Sequence, residues 1–320
     1  MAGLLLVLSA LNPGQAAVFA LPENGDTVVG QPDTTVTRYT DTLSDVARSH
    51  DLGYAEMRLA NPGVDPWKPG AGRKIIVPSS FVLPDVPYEG IVINVPEMRL
   101  YFFPKARPGE PRVVETYPIS IGRQDWSTPH GLARIASKKA NPTWTPPASI
   151  RAEHEANGDP LPKVVPAGPD NPLGAYAMRL SLPGYLLHGT NKPYGLGMRV
   201  THGCVRLYPR DIETLFHQVS VGTPVRIINQ PFKTGWRDGR LFVEVHPPLA
   251  EDVEKFRDRY TNIINQVVKG AGSRQPDIDW ERLQTVVAGE NGMPERVGSE
   301  RAVVESAPAA EEQSSKSPST

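Results

Sequence analysis

The stretch HGTNKPYGLGMRVTHGCVRL, residues 188–207, contains the only cysteine of a 320-residue chain, Cys204, and two of its seven histidines, His188 and His202. Lys192-Pro193 and the glycines Gly195 and Gly197 make its middle a loop, and the apolar YLL just before it reads as a strand. Cys204 falls in a turn-rich segment. A helix follows soon after, in PRDIETLFHQV, where Ile212, Leu215, Phe216 and Val219 recur at helical spacing. Such a turn can aim several backbone N–H groups at one point, a setting that suits an oxyanion.

A thiol with an ordinary pKa near 8.5 is only a few per cent ionised at neutral pH, so a nucleophilic Cys204 needs a base to take its proton. Two are offered: His188, at the end of the YLL strand, and His202, two residues from the thiol. Arg206 adds a positive field or holds a substrate carboxylate. Metal binding by His188, His202 and Cys204 is the rival reading, but the ligands are few and the spacing is not that of a structural zinc site. A papain-like order, with an early cysteine and a late histidine, is reversed here. His50, His154, His217 and His246 have no comparable setting and read as surface or packing residues.

Outward from the motif, residues 88–230 are mostly short strands. GIVINV and RLYFF flank a turn at Pro96-Glu97, and RVVETYPISIG, LARIAS, YAMRLSL and TPVRII follow. Many short strands with one or two helices predict a mainly β domain, a sandwich or partly closed barrel. Residues 34–80 form a separate unit. A strand at Val36–Tyr39 precedes a helix capped by Asp41, with Leu43, Val46 and Ala47 on one face; Gly53 ends that helix, a second runs to about Asn61, and Lys74–Val77 is a closing strand. Residues 231–290 read as a last strand, RLFVEV, and helices. One helix carries a stripe of Leu249, Val253, Phe256, Tyr260, Ile263 and Val267, and a second starts at Asp279. Residues 298–320, rich in Ser, Ala, Glu and Pro, predict disorder.

The N-terminus is an export signal in appearance. Its apolar run Ala2–Leu11 is too short to span a membrane, which takes about 20 residues, and it lacks the usual preceding Lys or Arg. Asn12-Pro13-Gly14 and a run of small residues follow, which places the signal at residues 1–20 with cleavage after Ala20. In an exported chain a lone cysteine has no internal disulfide partner, which favours a chemical role. With 34 basic and 35 acidic residues the chain offers no electrostatic basis for a nucleic-acid partner.

The motif HGT, a spacer, then THGCVRL resembles the signature of the YkuD-type L,D-transpeptidases, with Thr201 where Ser is common. STPHG, NPTWTPP and VPAGPDNPLG resemble segments of the periplasmic group that includes lipoprotein-anchoring enzymes of Gram-negative bacteria. YTDTLSDVA, LANPG and GRKIIVP are similar to landmarks of the LysM module, which binds N-acetylglucosamine polymers. The resemblance implies a YkuD-type catalytic domain after a small α+β LysM-like domain. It implies Cys204 as nucleophile and His188 as general base, oriented by the carbonyl of Gly189. It further implies an oxyanion hole of the His202, Gly203 and Cys204 N–H groups, with Arg206 shaping the site and His202 supporting it. The expected substrate is a peptidoglycan tetrapeptide stem. D-Ala leaves and an amine resolves the thioester: the terminal Lys of an outer-membrane lipoprotein, another diaminopimelate or a D-amino acid, with water giving an L,D-carboxypeptidase. No metal or organic cofactor is expected, and the location implied is the periplasm. The contrasting expectation is a non-catalytic wall-binding protein that keeps the fold as a scaffold.

Overall fold

A computed structural model describes residues 17–271 and 274–301 of the chain. The export-signal reading of residues 1–16 and the disordered-tail reading of residues 302–320 lie outside the described residues. Among those described, no helix is long and apolar enough to cross a membrane.

Nine strands make one mixed sheet in the order Ala17–Ala20, Val113–Pro118, Arg99–Phe103, Gly90–Asn94, Pro224–Ile228, Gly131–Ala140, Tyr176–Leu180, Leu186–His188 and Val205–Arg206. The strand Gly131–Ala140 has two partners. Its residues 131–134 pair with Pro224–Ile227, and from Ile135 onward it pairs with Tyr176–Leu180, with a register shift between Ile135 and Ser137. An irregularity of that kind bends a strand and raises its twist. The sheet curls, and its far edge returns to Ser120, which exchanges two backbone hydrogen bonds with Arg206 at 2.9 and 3.0 Å. The expected β architecture is thus a curled sheet joined to itself by one bridge. Alternation along the strands fills its interior with Ile91, Ile93, Leu100, Leu187 and Val205, and the helix Pro209–Gln218 adds Ile212 and Leu215.

Residues Ala17–Ala20, expected to leave with the signal, form the opposite edge strand, antiparallel to Val113–Thr116. The Phe19 ring lies 6.1 Å from that of Phe81. Cleavage after Ala20 would remove this strand. Its small and apolar residues, Ala-Val-Phe-Ala, suit a sheet edge as well as they suit a cleavage region.

The N-terminal unit has the expected strand, two helices and strand, with shifted ends. Its first strand is Asp33–Val36, paired antiparallel with Lys74–Val77. Its first helix, Leu43–Ser49, is capped by Thr42 and not Asp41: Thr42 and Asp45 form a reciprocal capping box. Gly53 caps the start of the second helix, Tyr54–Ala60. Asn61 ends it by donating to Met57 O (2.9 Å) and Ile76 O (2.8 Å) while accepting from the Ile76 N–H (2.7 Å).

The C-terminal part differs more. A four-stranded sheet, Phe232–Arg237, Arg240–Val245, Glu295–Glu300 and Pro276–Ile278, packs on the helices Arg259–Ala271 and Trp280–Gly289. The long helix predicted from Leu249 starts only at Arg259, and residues 298–300, expected to be disordered, end a strand. The apolar stripe misled because its residues serve two cores: Leu249 packs in the catalytic sheet, whereas Ile263 and Val267 pack in the C-terminal part. Between them, Glu251 is taken by Arg199 (2.7 and 2.8 Å) and Asp252 by Asn229 (2.7 Å), so tertiary bonds override the local helix.

Two buried charge clusters join the parts. Arg99 and Glu56 form a bidentate pair at 2.6 and 2.8 Å between the catalytic sheet and the N-terminal unit. Lys233 lies 2.9 Å from Glu97 and 2.8 Å from Glu244, and donates to Val82 O at 2.7 Å. His246 bonds Glu244 at 2.6 Å, so Lys233 supplies the cation in a group of Glu97, Glu244 and His246 that has metal-ligand spacing.

Candidate active site

Strand pairing brings the two ends of the motif together. Leu186–His188 runs parallel to Val205–Arg206, with Leu187 opposite Val205 and His188 opposite Arg206. Cys204, one residue before that pairing, therefore lies beside Leu186. The residues from Thr190 to Met198 loop out, and the N-terminal unit clasps their far end: the N–H groups of Tyr54 and Ala55 donate to Leu196 O (3.1 Å) and Gly197 O (3.2 Å).

The turn at residues 201–204 is fixed from several sides. Thr201 Oγ1 donates to Cys204 O at 2.6 Å. Thr128 Oγ1 donates to Gly203 O at 2.9 Å and accepts from the Gly122 N–H at 3.0 Å. Gly203 has φ +96°, and a Cβ there would come within 2.8 Å of the Tyr185 ring, so both backbone and space demand glycine. With the carbonyls of residues 203 and 204 tied down, no turn or loop bond among the described residues takes up the N–H of His202, Gly203 or Cys204.

Cys204 is partly buried, and its Sγ donates to Gly184 O at 3.7 Å. Burial pushes its thiol above the ordinary value; a backbone hydrogen bond at Leu186 and the fields of Arg179 and Arg206 oppose this without cancelling it. His188 is buried, and its Nδ1 lies 2.7 Å from Gly189 O, which places the proton on Nδ1 and leaves Nε2 as the acceptor. Burial, and then the charge of Arg206, lower its pKa to about 4 against a smaller opposing effect of the Gly189 bond. At neutral pH the resting site thus holds a neutral thiol and a neutral imidazole. Gly189 is itself held by its N–H to Tyr176 O at 3.1 Å. The Arg206 guanidinium is partly withdrawn from solvent, which lowers its pKa, and its buried Nε has no hydrogen-bond partner among the described residues.

His202 faces another set of partners. Its Nε2 is 3.1 Å from Glu153 Oε2, and its ring meets Trp126 edge-on at 5.1 Å. Glu153 also accepts from Arg123 at 2.5 Å, and these two partners hold its carboxyl down at about 2. Glu153 belongs to the helix Ala148–Ala156, part of the excursion between the strands Gly131–Ala140 and Tyr176–Leu180. Buried Asn171 pins that excursion by donating to Pro142 O (2.8 Å) and Pro166 O (3.0 Å). The excursion, the cysteine turn and the sheet enclose a cleft of about 940 Å³, lined by Cys204, His188, His202, Arg206 and Trp144 among others. That volume is at the upper end of small-ligand pockets.

The structure thus brings Cys204, His188, His202 and Arg206 to one cleft, with Gly189 bonded to His188, Gly203 in the cysteine turn and His202 turned to the excursion. Nothing in the sequence marked Trp126 and Arg179, which line the cleft, or Glu153, which holds His202; His154, read as surface or packing, lines the cleft too. Glu153 had no local signal, because its partners are far away in sequence. Thr128 did have one, in STPHG.

The curled sheet thus sets the cysteine turn beside the strand that ends in a buried histidine. The chain belongs to the YkuD family, the L,D-transpeptidase catalytic domain, whose family model matches residues 89–227. It is 43% identical over 288 residues to the probable L,D-transpeptidase YcfS of Escherichia coli K12, covering 88% of each chain. It is 41% identical to the probable L,D-transpeptidase YbiS of the same organism over 91% of this chain and 95% of that one. With the probable L,D-transpeptidase ErfK/SrfK of Salmonella typhimurium it shares 38% identity over 89% and 93%. The likeness to these relatives extends well beyond the catalytic domain.

Proposed function

We propose that this chain is a peptidoglycan L,D-transpeptidase that works through a thioester on Cys204. The observation that carries the reading is the parallel pairing that sets Cys204 beside the strand ending in the neutral, oriented imidazole of His188. Cys204 Sγ attacks the carbonyl between the L-centre of diaminopimelate and D-Ala. The thiol proton passes to His188 Nε2, and the N–H groups of His202, Gly203 and Cys204 stabilise the oxyanion. As the C–N bond breaks, His188 returns the proton to the leaving D-Ala amine. An acceptor amine then attacks the thioester, the S–C bond breaks, and the proton it sheds restores the thiol.

The acceptor we favour is the terminal Lys of an outer-membrane lipoprotein, on the resemblance to the lipoprotein-anchoring group; the open cleft and the loop rich in Gly and Pro beside His188 would admit that Lys and a second diaminopimelate alike. The N-terminal unit is proposed to bind wall glycan, and the location to be the periplasm. Incubation with a carbapenem, an acyl-donor mimic, followed by intact-mass measurement tests the mechanism. Wild type gains one adduct and Cys204→Ala gains none; an undiminished adduct in Cys204→Ala removes the cysteine mechanism. Loss of stems carrying a lipoprotein Lys remnant from the walls of a strain lacking this chain and any redundant paralogue supports the lipoprotein acceptor. Loss of diaminopimelate–diaminopimelate links alone assigns the acceptor to another stem.

A further inference from the structure

The floor of the cleft is a sheet face whose residues can be read from the register. In one row, Lys139 pairs with Ala177, Ala177 with His188, and His188 with Arg206. In the next, Ser137 pairs with Arg179 and Arg179 with Leu186, beside which Cys204 lies. Side chains two apart on a strand share a face, and all of these residues line the cleft. Arg179 thus shares a row with the thiol, about two strand spacings or ~10 Å away between backbones, a gap its side chain largely spans. Arg206 stands in the neighbouring row.

The charges of the cleft do not balance internally. Four of its lining residues are cationic, Lys139, Arg179, Lys192 and Arg206, against the carboxylates of Asp159 and Asp170. Asp159 is already 3.2 Å from His154. Arg179 is exposed, and neither ion pairs nor side-chain hydrogen bonds among the described residues engage it. Its neighbours across the sheet, Ser137 and Leu186, offer it no carboxylate. An arginine rooted in a strand, open to the cleft and lacking an anion is set to take one from a ligand, because its planar fork matches a carboxylate bidentately.

Resting on the donor reading above, we propose that Arg179 binds a free carboxylate of the acyl-donor peptide and makes the site selective for acidic over amidated stems. A tetrapeptide donor offers two carboxylates near the scissile amide: that of the departing D-Ala and that on the diaminopimelate side chain. Either presents the same chemistry to Arg179.

The test measures binding without turnover, by calorimetry in the Cys204→Ala background. The probes are the free-acid tetrapeptide and two analogues, one amidated at the C-terminus and one on the diaminopimelate side chain. Arg179→Gln is expected to weaken the free-acid stem about 10- to 100-fold, the range of a lost charge-assisted hydrogen bond, and Arg179→Lys by less. The analogue whose amidation removes the partner binds weakly from the start and loses nothing further in Arg179→Gln, which identifies the carboxylate. Affinity for the free acid within twofold of the parent, equal weakening of all three stems, or no measurable binding of the free acid at millimolar concentration overturns the proposal. Release of D-Ala by the wild type is scored separately. Carboxylate-selective binding without that release sinks the transpeptidase mechanism alone, and release with binding insensitive to Arg179 sinks this inference alone.

Discussion

The acid limb of Cys204 acylation should have its midpoint near the depressed pKa of His188, about 4, and not near that of an ordinary histidine. In the proposed mechanism the reactive pair is a neutral thiol with a neutral imidazole, so protonation of His188 switches it off. Burial is the first cause of the depression and the positive charge of Arg206 the second. At pH 5.5 such an imidazole is almost wholly neutral, whereas one with pKa near 6.5 is about one-tenth neutral, a roughly tenfold difference in rate. The assay is the initial rate of carbapenem adduct formation between pH 4 and 8, followed by intact mass. Arg206→Gln should move the limb toward 6.5 without bringing it there, because burial remains. The folded imidazole refuses a proton that the unfolded chain accepts, so stability falls as pH drops from about 6.5 to about 4, by up to about 3 kcal/mol. Rates are therefore compared only where circular dichroism reports the fold intact. A midpoint between 6 and 7 in wild type, or an unmoved limb in Arg206→Gln, would refute the reasoning.

Gly203→Ala should lower acylation at least tenfold while circular dichroism stays near native, because a Cβ at φ +96° meets the Tyr185 ring at 2.8 Å and displaces the turn; an unchanged rate would show that the turn tolerates the shift. Glu56→Ala should cost about 3–5 kcal/mol in urea unfolding, since it strands Arg99 in a buried site. Replacing both residues by apolar ones of similar volume should recover much of that loss. A loss under about 1 kcal/mol for the single variant would show that water or a rearranged partner replaces Glu56.

The local features were legible because they follow from residue type and spacing. A glycine before a lone cysteine, a histidine at a strand end, and a 3.6-residue stripe at Ile212, Leu215 and Val219 are all short-range signals. Such signals pointed to a mainly β domain, a strand–helix–helix–strand unit before it, and Cys204, His188, His202 and Arg206 as site candidates, whereas Gly189 and the oxyanion N–H groups entered only through the family resemblance. Element ends were less legible. Whether Asp41 or Thr42 caps a helix depends on which side chain meets which N–H, and both types serve. The stripe running on from Leu249 could not announce that its members belong to two cores.

What only the tertiary structure decided is everything that joins residues far apart in the chain. Glu153 reaches His202 across 49 positions, and Arg99 reaches Glu56 across 43. The His188 pKa depends on burial and on Arg206 in the next strand, neither of which its own neighbours in sequence encode. Arg179 gains its meaning from register alone: a one-residue slip would turn it to the opposite face of the sheet. Sequence spacing fixes which residues share a face of one element. Which faces meet, and which charges then lack a partner, is settled by how the strands pair and how the sheet curls.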